Sequence, residues 1–112
     1  KFIGPVTQSA KLDLYSHATL CVYPNLYEGF GMPLIESLNC HTPILTSNIA
    51  PFQELNNVKA MQFELDQREL SKSLLNLYKN QDQLKLVLKK QREVLPKFDW
   101  HQIAQSFWKI LK

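Results

Sequence analysis

The sequence predicts an α/β fold built on an open parallel sheet flanked by helices. Two short runs, Thr19-Leu20-Cys21-Val22-Tyr23 and Pro43-Ile44-Leu45-Thr46, are β-prone without alternating apolar and polar residues. That is the pattern of strands buried on both faces, as in a parallel sheet covered by helices. Helix-like stretches separate these runs up to Asp66, in the order of βαβ units, and beyond Asp66 the pattern is helical alone.

Taken in order, Phe2-Ile3 before Gly4-Pro5 reads as the end of a strand leaving into a turn. Thr7 is placed to cap a helix from about Gln8 to His17, with Leu14, Tyr15 and Ala18 toward the core. The strand through Tyr23 stops at Pro24-Asn25, Gly29 and Gly31 mark a loop, and Pro33 suits the start of a helix to about Asn39. Pro43–Thr46 is the next strand, Ala50–Leu55 a short helix, and Ala60-Met61-Gln62-Phe63 a weaker strand. Asp66 with Glu69 has capping-box spacing ahead of a stripe of Leu70, Leu74, Leu77 and Tyr78. A second stripe of Leu84, Val87, Leu88, Gln91, Val94 and Leu95 ends at Pro96. Asp99 then caps a last helix with Trp100, Ile103, Ala104, Phe107 and Leu111 on one face.

A chain of 112 residues, 45% hydrophobic and 21% charged, has the makings of one soluble core and excludes disorder and membrane-spanning classes. Its compact surface would be roughly 6,400 Å². Lys1 is not Met, and an apolar residue follows it, so the chain reads as a fragment of something longer. The net charge of +3 divides into −3 over residues 1–66 and +6 over residues 67–112. The basic half reads as the solvated face of amphipathic helices, Lys85, Lys89 and Arg92 among them. No aromatic residues interleave with these charges as nucleic-acid stacking requires, so no nucleic-acid partner is expected. Cys21 and Cys40 lack metal-ligand spacing and are expected as free buried thiols in a reducing cytoplasm.

The chemistry gathers in residues 23–36, between a strand and a helix, where α/β sheets bind ligands. Gly29 and Gly31 let backbone amides approach a ligand closely. Leu34 and Ile35 are expected to offer N–H groups with no intrahelical acceptor at the positive end of the helix dipole, which suits an anion such as a diphosphate. Glu28 and Glu36 do not bind phosphate, but they accept hydrogen bonds from sugar or ribose hydroxyls. A nucleotide sugar combines both needs. Two plainer readings remain beside it: Glu36 complementing its helix dipole with Glu28 a solvated loop carboxylate, and a glycosidase pair.

These residues also resemble a known family. Glu28 and Glu36 form the E-x7-E spacing of the retaining group 1 (family 4) glycosyltransferases, within Pro24-x3-Glu28-Gly29-Phe30-Gly31-x-Pro33-x2-Glu36. Phe2-Ile3-Gly4-x-Val6, Leu14-Tyr15-x2-Ala18, Thr42-Pro43-Ile44-x-Thr46-Ser47-Asn48 and Phe98-x-Trp100 are similar to the family's flanking segments. The resemblance implies two Rossmann-like domains in a GT-B arrangement. Residues 1–112 would be the later part of the C-terminal, nucleotide-sugar-binding domain, without the N-terminal acceptor domain.

It implies that Glu28 is the catalytic residue meeting donor-sugar hydroxyls. The amides of Phe30, Gly31 and Met32 would hold the sugar and diphosphate, with Gly29 beside them in the substrate-binding set, Leu34 would lie by phosphate and ribose, Glu36 would bind ribose hydroxyls, and Val6 would contact the base through its backbone. The activity implied is transfer of a hexose from a nucleoside-diphosphate sugar to a glycan or lipid-linked acceptor in polysaccharide biosynthesis, with no metal and no cofactor beyond the donor. A basic Arg and Lys would precede residue 1. A non-catalytic nucleotide-sugar-binding or partner-docking module is the alternative. The expected setting is cytoplasmic, with peripheral contact at the inner membrane face and self-association through a truncated sheet edge as further options. His41 stands where the family has Gly, so the turn after the motif helix is expected to differ. Gln53-Glu54 replaces Pro-Glu, and Asn56-Asn57 replaces Gly, with asparagine able to take the left-handed conformation of such a turn.

Overall fold

In the structure, a computed structural model describing residues 1–56, 58 and 61–110, three parallel strands pair in the order β1 (Cys21–Tyr23), β2 (Ile44–Ser47), β3 (Gln62–Phe63). Cys21 pairs with Ile44, and Thr46 with Gln62. Every residue of β2 is buried, as its β-prone run without alternation predicts. Ile44 and Leu45 enter different cores. Ile44 joins Leu34, Leu38, Phe52, Leu55 and Val94, while Leu45 joins Met61, Phe63, Leu77 and Leu84. The sheet is thus covered on both sides, the arrangement of an α/β Rossmann-like layer.

The helices are α1 (Gln8–His17), α2 (Met32–Asn39), α3 (Ala50–Leu55), α4 (Gln67–Lys79), α5 (Asp82–Arg92) and α6 (Trp100–Ile110), with a 3₁₀ turn at Leu95–Phe98 before α6. Thr7 caps α1 by accepting the Ala10 amide at 3.3 Å. Yet α1 buries none of its residues, and Leu14 is exposed, contrary to the expected inward face. Asp66 accepts the amides of Arg68 and Glu69 at the start of α4. The box closes from one side only: the Asp66 amide goes to the Glu64 carbonyl, and Glu69 turns to Lys72. On α4, Leu77 is buried, whereas Leu74 and Tyr78 face outward. Asp99 caps α6 through the Gln102 amide at 3.0 Å. The apolar residues Trp100, Ile103 and Phe107 of α6 are exposed. Ala60 and Leu111 of the expected elements, and Asn57, lie outside the described residues. The exposed faces of α1 and α6 agree with an accessible surface of 8,415 Å², about 2,000 Å² above that of a compact chain this long.

Two turns depart from expectation. After α2 the Thr42 amide donates to the Ser37 carbonyl, and the His41 amide to that of Leu38, with His41 at φ 63°. This is the two-bond motif that normally closes on glycine, so the turn is kept and His41 takes the left-handed position. Asn56 after α3 has φ −107°, outside the left-handed region. Its value lies in its side chain: buried, it donates to Thr46 Oγ1 (3.1 Å) and the Met61 carbonyl (2.7 Å), and accepts from Gln91 Nε2 (2.9 Å). Gln91, placed by its spacing in an apolar stripe, is a buried polar bridge. Its Oε1 accepts the Ile44 amide (3.1 Å) and its Nε2 donates to the Ile44 carbonyl (2.7 Å).

Cys21 and Cys40 are free and half-buried, and burial pushes the Cys21 thiol above its ordinary value. Lys85 and Lys89 are exposed, as a solvated helix face requires. No described helix is long and apolar enough to cross a membrane.

Candidate functional site

The loop between β1 and α2 is held at its root by buried groups. Ser47, at the end of β2, donates to the Asn25 carbonyl at 2.6 Å. Asn25 Nδ2 donates to Glu28 Oε2 at 3.1 Å, and the Gly29 amide donates to Glu28 Oε1 at 3.1 Å. A carboxylate offers about four acceptor positions, so Glu28 retains capacity for two more donors. The Tyr23 hydroxyl donates to the Pro33 carbonyl at 3.2 Å and lies 3.4 Å from the Tyr15 hydroxyl. Burial drives the Tyr23 phenol well above its usual pKa, so it remains a neutral donor. Strand β1 therefore fixes both the start of the loop and the first turn of α2.

Gly31 caps α2 in the left-handed region at φ 88°. A Cβ there would meet Leu55 Cδ1 at 3.0 Å and Phe52 Cε1 at 3.1 Å. Gly29 is different: its φ is ordinary, and nothing lies within 4 Å of a Cβ built on it. Of these two loop glycines, Gly31 alone requires glycine for the fold. Gly31→Ala is expected to lower stability by about 2–4 kcal/mol, from the left-handed strain together with overpacking. Gly29→Ala should stay within about 0.5 kcal/mol. Urea titration of the two variants checks the contrast.

Among the described residues no protein acceptor takes the amides of Phe30, Gly31 and Met32. Leu34 corrects one expectation: its amide donates to the Gly31 carbonyl at 2.9 Å, and its side chain is wholly buried in the core. The free amides of Phe30, Gly31 and Met32 therefore lie two to four residues before Leu34, where the helix-start rule places the first of them. Pro33, with no N–H, and the Gly31 cap are the reason.

Glu36 projects from the second turn of α2 to Lys11 of α1, with Nζ 2.7 Å from Oε1 and both side chains about one-quarter to one-third exposed. Its Oε2 has no protein donor among the described residues. Val6 is partly exposed just before the Thr7 cap, at the start of the helix that carries Lys11. Glu28, Gly29, Phe30, Gly31, Met32 and Glu36 thus share one loop and helix start. Val6 joins them only through α1, and Leu34 serves the core. Lys11, Asn25, Tyr23 and Ser47 were not foreseen as site residues. Asn25 lies three residues before Glu28 and could have been suspected as a local partner, but Lys11 and Ser47 are far away in sequence. A neighbouring groove of about 880 Å³ is bounded by Ile35, Asn39, Arg92 and the Leu95–Gln102 segment, and neither glutamate lines it.

The family described as "Glycosyl transferases group 1" matches residues 1–94. The chain belongs to this family. The O-antigen chain mannosyltransferase RfbU of Salmonella typhimurium is 33% identical over 104 residues, 93% of this chain and 29% of its own length. The O-antigen chain mannosyltransferase B of Escherichia coli is 36% identical over 55 residues, 49% of this chain and 14% of that protein. Among solved structures, sucrose-phosphate synthase from Thermosynechococcus elongatus superimposes with a TM-score of 0.83 at 24% identity, over 99% of this chain and 29% of that one. That likeness shows the fold. The chain spans less than a third of the length of each of these relatives.

Proposed function

We propose that residues 28–36 form the donor side of a retaining, family 4 transfer of a hexose from a nucleoside-diphosphate sugar to a glycan or lipid-linked acceptor. The observation that carries this reading is the row of three unpartnered amides, Phe30, Gly31 and Met32, between two carboxylates with acceptor capacity left. The amides stand where negative charge develops on the departing diphosphate as the anomeric carbon leaves its phosphate oxygen for an acceptor hydroxyl. Glu28 receives sugar hydroxyls, and Glu36, its charge matched by Lys11, receives those of the ribose. Their role is positioning rather than attack, and no metal is assigned to the step. For a lipid-linked acceptor the work would take place at the inner membrane face, with the exposed Lys79, Lys85 and Lys89 available to anionic headgroups.

The names of the relatives make a mannosyl donor the first to try. Titration of the chain with UDP- and GDP-hexoses, GDP-mannose among them, should give saturable heats and shift the amide resonances of Gly31 and Met32. A folded chain whose Gly31 and Met32 amides ignore every donor up to millimolar concentration would remove the reading.

A further inference from the structure

Phe30 is the one large side chain between Gly29 and Gly31, and its ring meets that of Phe98 edge to face, with centroids 5.3 Å apart and planes at 75°. Phe98 closes the 3₁₀ turn after α5 and packs, with Leu95, on the core that contains Leu34, Leu38 and Val94. The remainder of the loop has little comparable support. Leu26 and Tyr27 are 84% and 87% exposed, and the Glu28 carboxylate bonds only within the loop. The Phe30 ring is therefore where the loop tip is tied to a distant and well-packed part of the chain. The amide of Phe30 moves with that ring, since Gly29 before it offers little resistance of its own, whereas Gly31 and Met32 beside it are held by the start of α2.

We propose that Phe98 is a positioning residue for donor binding, holding the free Phe30 amide in line with those of Gly31 and Met32 through the Phe30 ring. The inference rests on the donor reading of the loop and adds a specific element to it: a residue outside the motif that sets the affinity of the motif for its ligand. Holding a loop in its bound form raises affinity by removing the ordering cost. Edge-to-face pairs are strong enough to matter and geometrically demanding enough to fix an orientation.

The test measures dissociation constants for UDP-glucose and GDP-mannose in the full chain and in Phe30→Ala, Phe98→Leu, the double variant and Phe98→Tyr, with urea midpoints for each. Leucine keeps the apolar contact of position 98 with the core while removing the ring. Phe30→Ala and Phe98→Leu should each weaken the better donor about threefold to tenfold. The double variant should be no weaker than the worse single one, since both remove the same contact. Phe98→Tyr, which keeps the ring edge, should restore affinity to within about twofold of the parent. Additive losses, or a Phe98→Leu variant with parental affinity, overturn the proposal. Glu28→Ala run in parallel separates the two readings. If Glu28→Ala weakens binding while the aromatic pair behaves additively, only the role of Phe98 fails; if neither donor binds, or Glu28→Ala binds like the parent, the donor reading fails and this one with it.

Discussion

Glu28→Ala, made in an active glycosyltransferase that contains this chain, is expected to lower kcat/KM by about a hundredfold or more while leaving the fold intact. The reasoning starts from its surroundings. Glu28 is only half-buried, and its carboxylate bonds to Asn25 and the Gly29 amide within the same loop. Removing it leaves no orphan in the core, so stability should change by no more than about 0.5 kcal/mol. On the proposed donor reading, what is lost is the fixed acceptor that orients the sugar beside the free amides, and misplacement of a reacting group by about 1 Å can cost a factor of 100. Glu28→Gln, which keeps one acceptor oxygen, should fall between parent and alanine. Steady-state rates with saturating acceptor, read beside thermal midpoints, decide the matter. Near-normal turnover of Glu28→Ala would sink the assignment.

Gln91→Leu should have the largest effect on stability, a loss of about 2–5 kcal/mol from a total that for such domains is roughly 5–15 kcal/mol. Gln91 is fully buried, and its amide group satisfies both the N–H and the C=O of Ile44 and also donates to Asn56. Leucine matches its size and is apolar, so a simple hydrophobic count would favour it. The substitution nevertheless leaves the two Ile44 backbone groups in the core without partners, at about 1–3 kcal/mol each. A urea titration should show the midpoint falling sharply at an unchanged slope. A loss below about 1 kcal/mol would mean that water or another side chain replaces the bridge.

Gln91 also shows where pattern reading stops. Its place at i+7 from Leu84 on a helical stripe assigns it to the core, and the structure agrees. Periodicity reports which face a residue occupies but nothing about hydrogen bonding to a strand 47 residues away. His41 is a similar case. The expectation that histidine would change the turn follows from steric cost, yet both bonds of the turn persist, because the packing of α2 against β2 favours that exit strongly enough to hold the strained residue. Leu14, Leu74 and Tyr78 show the reverse. They match a helical stripe and remain at the surface, because a stripe marks a face that can be buried while only a neighbouring element can bury it.

While the strand end expected at Phe2-Ile3 is an exposed, irregular segment, the sequence by itself determined the α/β class, the order of the strands and helices from Thr7 onward, and the caps at Thr7, Asp66 and Asp99. All of these depend on residues within a few positions of one another, where backbone geometry and side-chain period act directly. Tertiary structure alone decided that Lys11 matches Glu36, that Ser47 anchors Asn25, that Phe98 meets Phe30, and that Leu34 turns away from the loop into the core. Those pairings join segments that are remote in the chain, and their partners are chosen by how the sheet and helices pack.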